Sequence, residues 1–116
     1  MPLDYNSLGI RIKKARKHIG LTQERLAEHA NISSTHLSNI ENGKTPFSLE
    51  VFVALADALS VRPDELLCDS VEQARYVYFS EAQAILNDCT KDESRFVIEM
   101  METVLKSYRN NANRSK

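Results

Sequence analysis

Hydrophobic residues recur at three- and four-residue intervals along most of the chain, which is the spacing of helices that bury one face. This spacing predicts five helices before residue 70. The first runs from about Ser7 to Ile19, the second and third lie within residues 23–42, the fourth begins at Ser48, and a short fifth begins at Pro63. No strand-like alternation stands out in this region. The pattern therefore predicts an all-α fold.

Cap residues mark the ends of these predicted helices. Gly20 and Gly43 follow the first and third helices, where a left-handed residue commonly ends a helix. Thr22 and Ser33 precede the second and third helices and offer a side-chain oxygen to a free backbone N–H. Asn31 lies in the turn between these two helices and tolerates a positive φ better than most residues. These signals predict short helices joined by tight turns.

The region after residue 70 is less regular. Residues 71–79, VEQARYVYF, fit either an extended helix or a β-prone linker. A Ser or Thr followed three residues later by Gln or Glu predicts two further helix starts, at Ser80 and Thr90. The helix from Ser80 is expected to end near Asp88, and the helix from Thr90 near Arg109.

Residues 23–42, QERLAEHANISSTHLSNIEN, have the pattern of two short helices that cross over a shared core. Their apolar positions are Leu26, Ala30, Ile32, Leu37 and Ile40. Ala27 is small and lets the two helices approach closely. The outer face of the second helix of this pair carries short polar residues: Ser33, Ser34, Thr35, His36, Ser38 and Asn39. A helix that needed only to be soluble would carry Glu and Lys there, so the pattern favours a polar partner.

Residues 8–67 resemble the lambda-repressor-like, or Cro/Xre-type, helix-turn-helix family. The matching phrases are LGIRIKKARKHIGLTQERLAEHA and ISSTHLSNIENGKTPFSLEVFVALADALSVRPDELL. The resemblance covers about half of the chain and implies a five-helix bundle whose third helix reads DNA in the major groove. Residues 1–69 are then expected to form the helix-turn-helix DNA-binding domain. Residues 70–116 are expected to form a short two-helix C-terminal appendage.

The resemblance implies that residues of the third helix contact base edges. These residues are Ser34, Thr35, Ser38 and Asn39. Asn39 is the strongest candidate, because an Asn amide can pair bidentately with adenine N6 and N7. Hydroxyl groups are less selective, since each can donate or accept a hydrogen bond.

A second group is expected to contact phosphates: Gln23, Ser33, His36, Asn42, Gly43 and Lys44. The resemblance implies that Gln23 also braces the third helix. Lys44 would act through its ammonium group, and Asn42 and Gly43 through backbone N–H groups. Family members often carry Tyr where this chain has His36. Each assignment has a plainer alternative: Ser33 as a helix cap, Gln23 as an ordinary first-turn residue and His36 as a solvent-exposed side chain.

The family's pattern also implies a structural ion pair. An Arg of the first helix commonly pairs with the Glu before Asn-Gly, which in this chain are Arg16 and Glu41. The pair would lock the first helix to the end of the third. It would also remove the repulsion between a carboxylate and DNA.

Charge is distributed unevenly along the chain. The net charge of the 116 residues is −1. Seven basic and four acidic residues lie at or before Pro46, a net charge of +3, whereas eight basic and twelve acidic residues follow, a net charge of −4. Positive potential therefore lies on the part with the helix-turn-helix pattern, as attraction to phosphate requires.

An apolar stripe marks the last predicted helix: Val97, Met100, Met101, Val104, Leu105 and Tyr108. It fits a dimer interface with the same helix of a second chain, or packing onto the chain's own fifth helix. We favour the dimer, because a roughly symmetric operator needs two recognition helices about one DNA turn apart.

Several function classes find no support in the sequence. It has no Gly-rich phosphate loop, nucleophile motif or cluster at metal-ligand spacing, so we expect no enzyme activity, cofactor or metal. The lack of an apolar run of ~20 residues or of a signal peptide predicts no membrane contact and a cytoplasmic location. Cys68 and Cys89 are expected to be reduced and buried, with a redox role as the alternative.

The sequence thus predicts a sequence-specific, DNA-binding transcriptional regulator. We expect a homodimeric repressor that binds a roughly palindromic site in double-stranded DNA through its third helix. The alternative is a protein-interaction module, or an antitoxin-like regulator that acts through a protein partner.

Overall fold

The structure, a computed structural model, describes residues 3–114. Its helices are α1 (Tyr5–His18), α2 (Gln23–Ala30), α3 (Ser34–Glu41), α4 (Leu49–Leu59), α5 (Pro63–Leu67), α6 (Tyr76–Asn87) and α7 (Lys91–Arg114), with a 3₁₀ turn at Glu72–Ala74. The described residues contain no strand, so the all-α prediction is confirmed. By its contacts the chain divides into a first unit, Met1–Tyr78, and a second unit, Phe79–Lys116.

Local capping sets the helix boundaries of the first unit. The hydroxyls of Thr22, Ser33 and Ser48 each accept the backbone N–H three residues later, at 3.0–3.1 Å. The residues expected to take positive φ do so: Gly20 (76°), Asn31 (58°) and Gly43 (70°). α1 begins two residues earlier than predicted, because the Asp4 carboxylate accepts the N–H of Ser7 at 3.0 Å and caps the helix there.

The core of the first unit lies where its five helices meet. The largest fully buried side chains are Leu8, Ile12, Leu26, Leu37, Ile40, Leu55 and Leu59. α5 adds Leu66, which is also buried. Three of the fully buried residues belong to the apolar positions expected of the two crossing helices. The hydrophobic spacing therefore identified the buried faces of α2 and α3 correctly.

The stretch that the sequence left open is helical. After the 3₁₀ turn at Glu72–Ala74, α6 begins at Tyr76, so Ser80 lies inside a helix. The prediction that Ser80 caps this helix is wrong. Val77 is buried with Cys68 and Ala74 in a small cluster, and this burial favours helix ahead of the expected cap.

A polar cluster secures the start of α6 to α1 within the first unit. The Arg11 guanidinium pairs with Asp69 and lies 6.0 Å from the centre of the Tyr78 ring. The Tyr78 hydroxyl donates to the Asp69 carboxylate at 2.9 Å. Arg11 lowers the pKa of Asp69, whereas the hydrogen bond to Asp69 raises the pKa of Tyr78. These contacts hold Tyr78 to the first unit, Met1–Tyr78.

In the second unit, α7 begins at the reciprocal cap predicted for it. Thr90 Oγ1 accepts the N–H of Glu93 at 3.2 Å, and Glu93 Oε1 accepts the N–H of Thr90 at 2.8 Å. The backbone N–H of Thr90, which donates to the carboxylate, lowers the pKa of Glu93. The helix continues to Arg114 instead of ending near Arg109, because the residues between contain neither Gly nor Pro.

Other expectations concern buried thiols, membranes and metals. Cys68 is buried as expected, but Cys89 is only half-buried. Among residues 3–114, no helix combines the length and apolar character that crossing a membrane requires. Nor does this part of the chain contain a group of three or more His, Cys, Asp or Glu side chains placed to hold a metal ion.

Candidate nucleic-acid interface

α3 presents a polar outer face and an apolar inner face. Leu37 and Ile40 are buried in the core. Ser34 and Thr35 are exposed, and Ser38 and Asn39 are half-buried. The four residues predicted to contact bases therefore have surface available to solvent. They lie on a helix whose opposite side is held by the core.

Gly9 brings α1 against the end of α3. A Cβ atom at this position would lie 2.4 Å from the carbonyl oxygen of Ile40 and 2.7 Å from that of Glu41. The two backbones are therefore in direct contact, which only glycine permits. Sequence reasoning missed this role. The signal was a glycine inside a helix, where it costs about 1 kcal/mol relative to Ala unless packing requires it.

Gly43 makes a second close approach at the turn after α3. A Cβ atom there would lie 2.8 Å from the Cα of Asn6, and φ is +70°. Tyr5 precedes Asn6, and Phe47 follows Gly43 by four residues. The rings of Tyr5 and Phe47 pack edge to face, with their centres 6.1 Å apart. The turn that follows α3 is thus packed onto the first turn of α1.

Arg16 and Glu41 form the ion pair that the resemblance implied. Arg16 Nε donates to Glu41 Oε2 at 2.7 Å, and Nη2 donates to Oε1 at 3.1 Å. The third nitrogen, Nη1, donates to the carbonyl of Leu21 at 2.9 Å. Only 10% and 1% of the Arg16 and Glu41 side chains are exposed. This buried bidentate pair joins α1, the loop after it and the last residue of α3.

Gln23 belongs to the same network. Its Nε2 donates to Glu41 Oε1 at 2.9 Å, so the first residue of α2 is bonded to the last residue of α3. The side-chain amide of Gln23 has two N–H bonds, and one of them donates to Glu41. The other is left for the phosphate contact that was expected of Gln23. The resemblance implied that Gln23 braces the third helix, but it did not identify Glu41, 18 positions away, as the partner.

The turn after α3 differs from the expected phosphate site. The backbone N–H of Asn42 donates to Ser38 at 3.0 Å, and that of Gly43 donates to Ile40 at 3.1 Å. Both groups therefore satisfy carbonyls of α3, which argues against the prediction that they bind phosphate. The side chain of Lys44 is exposed just beyond them. Lys44 is the better candidate.

Ser33 and His36 are coupled at the start of α3. The Ser33 hydroxyl accepts the backbone N–H of His36 at 3.0 Å, so Ser33 is a helix cap. The hydroxyl proton is still available for a phosphate oxygen. His36 itself is half-buried.

The sequence and the helix arrangement of this chain have counterparts in known proteins. The sequence model of a helix-turn-helix family matches residues 12–66. The crystal structure of the restriction-modification controller protein C.AhdI from Aeromonas hydrophila has 33% sequence identity and a TM-score of 0.53, covering 54% of this chain and 96% of that one. The chain belongs to the lambda-repressor-like (Cro/Xre-type) helix-turn-helix family.

Two further relatives of this helix-turn-helix chain are named as repressors. The immunity repressor protein of Bacillus phage phi105 is 38% identical over 74 residues, covering 60% of this chain and 51% of the relative. The P22 c2 repressor, solved in complex with a synthetic operator, has 31% identity and a TM-score of 0.50, covering 58% of this chain and 96% of that one. The chain spans about half the length of the curated relatives it matches.

The last predicted site of the helix-turn-helix chain lies in the second unit. Val97 is half-buried, whereas the other five stripe residues are 42–72% exposed. Phe96 and Ile98, which the prediction did not include, are also exposed. With Leu86 of α6, residues of this stripe line an open apolar groove of about 720 Å³. The apolar face is therefore wider than the sequence pattern indicated.

Proposed function

We propose that the chain is a sequence-specific DNA-binding transcriptional repressor that reads a roughly palindromic operator as a homodimer. The observation that carries this proposal is the polar outer face of α3, held rigidly by the network of Arg16, Gln23 and Glu41. A recognition helix must keep its register in the major groove, which requires such support. Because Arg16 pairs with Glu41, the one carboxylate of α3 faces a guanidinium instead of DNA.

Base reading is assigned to the exposed part of α3. Asn39 would pair with adenine through its amide, and Ser34, Thr35 and Ser38 would contact neighbouring base edges or ordered water. The short side chains of this set require a close approach of the helix to the groove floor. The absence of a long charged side chain on this face of α3 is consistent with that approach.

Phosphate contacts would set the orientation of α3 without reading sequence. Lys44 is placed for this beyond the end of α3, Ser33 has a hydroxyl proton at its start, and Gln23 retains a second amide N–H bond. His36 is assigned to the same group through its imidazole. The exposed side chains of Lys14 and Lys17 on α1 add positive potential to the first unit.

The relatives support this function at the level of class. One is named an immunity repressor, and another was solved bound to a synthetic operator. A repressor of this class acts by occupying a promoter, and we assign the same mode to this chain. Its place of action would be the cytoplasm.

Dimerisation is assigned to α7. Most of its apolar stripe is exposed in the single chain, so a second copy has a surface to cover. Two recognition helices would then bind two half-sites of one operator.

The experiment that tests the function is selection of binding sites from a random pool of duplex DNA at two salt concentrations. We expect enrichment of one roughly palindromic site, with half-sites about one DNA turn apart. Transcription from a promoter that carries this site should fall when the protein is added. Weak, salt-sensitive binding without enrichment would contradict the proposal.

The alternative, a regulator that acts through a protein partner, is favoured by one observation. Leu49 and Val53 lie one turn apart on α4 and are 76% and 57% exposed. They form an apolar patch on α4 of the first unit. Selection without enrichment, together with loss of regulation in Leu49→Lys, would support this alternative.

A further inference from the structure

Charge divides α7 into two halves of opposite sign. From Lys91 to Glu102 the helix has four acidic and two basic residues, a net charge of −2. From Thr103 to Arg114 it has three basic residues and no acidic ones, a net charge of +3. The apolar stripe crosses both halves.

We propose that two copies of this chain pair through α7 in antiparallel orientation, with the acidic half of each helix beside the basic half of the other. This inference rests on the dimer of the proposed function and adds its orientation. In an antiparallel pair the charges attract at both ends, whereas a parallel pair would bring like charges together at both ends. The helix macrodipoles favour the same arrangement.

The opposite charges of the two halves of α7 indicate that the partner covering the stripe is a second copy of this chain. A surface whose two halves carry opposite charge fits a rotated copy of itself, which is the isologous contact of a two-fold dimer. The exposed apolar residues supply the buried centre of such a contact. They include Met101, Val104 and Tyr108, which are 51%, 64% and 72% exposed in the single chain.

The stripe also determines the register. If its centre lies on the two-fold axis, the numbers of opposed residues sum to about 205, because both helices rise equally per residue. Val97 then faces Tyr108, and Met101 faces Val104. Met100 and Leu105 form the third kind of pair. Every residue of the predicted stripe therefore meets another member of the stripe.

The same charge gradient would stabilise an isolated helix, because acidic residues near its start and basic residues near its end oppose the macrodipole. The stability of α7 therefore does not distinguish a paired helix from a single one. Distances between named positions in two copies do distinguish them.

The test uses single cysteines in the full-length chain, with Cys89→Ser as the parent so that only Cys68, which is buried, is left from the native thiols. Ile98→Cys and Tyr108→Cys replace exposed residues near the two ends of the stripe. In the antiparallel pair, position 98 lies about 14 Å and position 108 about 17 Å along the axis from its own counterpart. Ile98 of one copy and Tyr108 of the other lie nearly level.

With a short thiol-specific cross-linker, we expect the mixture of Ile98→Cys and Tyr108→Cys to give covalent dimers that contain one copy of each. Each variant alone should give at least ten-fold less. Met101→Cys alone should cross-link, because it lies close to the two-fold axis. The Cys89→Ser parent measures any background from Cys68.

Sedimentation and circular dichroism of each variant accompany the cross-linking. If Ile98→Cys or Tyr108→Cys cross-links alone as well as in the mixture, the antiparallel orientation is overturned. The proposal of a dimer would still stand. If the variants sediment as dimers but no combination of them cross-links, α7 lies outside the interface and the inference is overturned. A monomeric parent would remove both the dimer and its orientation, whereas DNA recognition is tested separately by site selection.

Discussion

At the scale of single residues, Asn39 is the position where DNA sequence should be read most directly. We expect Asn39→Ala to weaken binding to the selected operator by about 1–3 kcal/mol, since the bidentate pair with adenine is lost. Preference at one base pair of each half-site should relax. Fluorescence anisotropy with the operator and its single-base variants measures both effects. Unchanged affinity and unchanged preference would assign base reading elsewhere on α3.

Lys44 provides the matched comparison, because it is exposed just past α3 and is assigned to phosphate. Lys44→Ala should weaken binding to operator and non-operator DNA alike. The slope of log affinity against log salt concentration should fall by about one, since one fewer counterion is released. A selective loss for the operator would mean that Lys44 contributes to sequence recognition.

Glu41 holds the end of α3, the proposed recognition helix. Glu41→Gln preserves the shape of the side chain but leaves the buried charge of Arg16 without its partner. We expect the free energy of unfolding to fall by about 3 kcal/mol or more, measured by urea denaturation. Glu28→Gln is the control, because 74% of the Glu28 side chain is exposed. Its effect should stay within about 0.5 kcal/mol. An equal effect of the two changes would show that the buried pair contributes nothing to stability.

At the scale of helices, the contact between α1 and α3 depends on Gly9. Ala is the better helix former, so Gly9→Ala alone would stabilise α1 by about 1 kcal/mol. Its Cβ would, however, lie 2.4 Å from a backbone oxygen of α3, which cannot rotate away. We therefore expect a net loss of about 1–3 kcal/mol in thermal or urea unfolding.

Lys14→Ala, on an exposed position of the same helix, is the control for this change. It tests the effect of Ala on α1 without a contact to α3. If Gly9→Ala were as stable as Lys14→Ala, the two helices would have to separate at low cost, contrary to the packing described above.

Helix ends were predictable where the determining atoms are close in sequence. Thr22, Ser33 and Thr90 act within three residues, and their caps form as the sequence predicted. Ser80, followed by Gln83, also resembles a helix cap, although less closely than Thr90, but it lies inside α6. There the burial of Val77 and the bonds around Tyr78 outweigh the local pattern. The bonds of Tyr78 to Cys68 and Asp69 span 10 and 9 positions, and Arg11 is more distant still, whereas a capping rule considers residues three positions apart.

At the scale of the whole molecule, the same distinction applies to the candidate site. The polar face of α3 was visible in the sequence, because residue type and helical spacing define it. The contacts that hold it were only partly visible: the family pattern implied Arg16 with Glu41, but not Gln23 with Glu41 or the backbone contact at Gly9. Such contacts depend on how α1, α2 and α3 cross, which periodicity does not specify.

The proposed dimer is the assembly on which recognition of the proposed operator should depend most. Val104 and Tyr108 are 64% and 72% exposed in the single chain, so replacing both with Lys should not disturb its fold. In the paired helices the same change would put charges into the apolar centre. We expect Val104→Lys with Tyr108→Lys to sediment as a monomer.

DNA binding by that monomer separates the contribution of the dimer from that of the recognition helix. Affinity for the palindromic operator should fall by about 100-fold or more, because the second half-site is no longer bound by a linked copy. Affinity for an isolated half-site should not change, since α3 is intact. Leu49→Lys, an equally drastic change at a residue that is 76% exposed on α4, is the control and should remain dimeric. A double variant that still dimerised and bound the operator at full affinity would place the dimer contact outside α7.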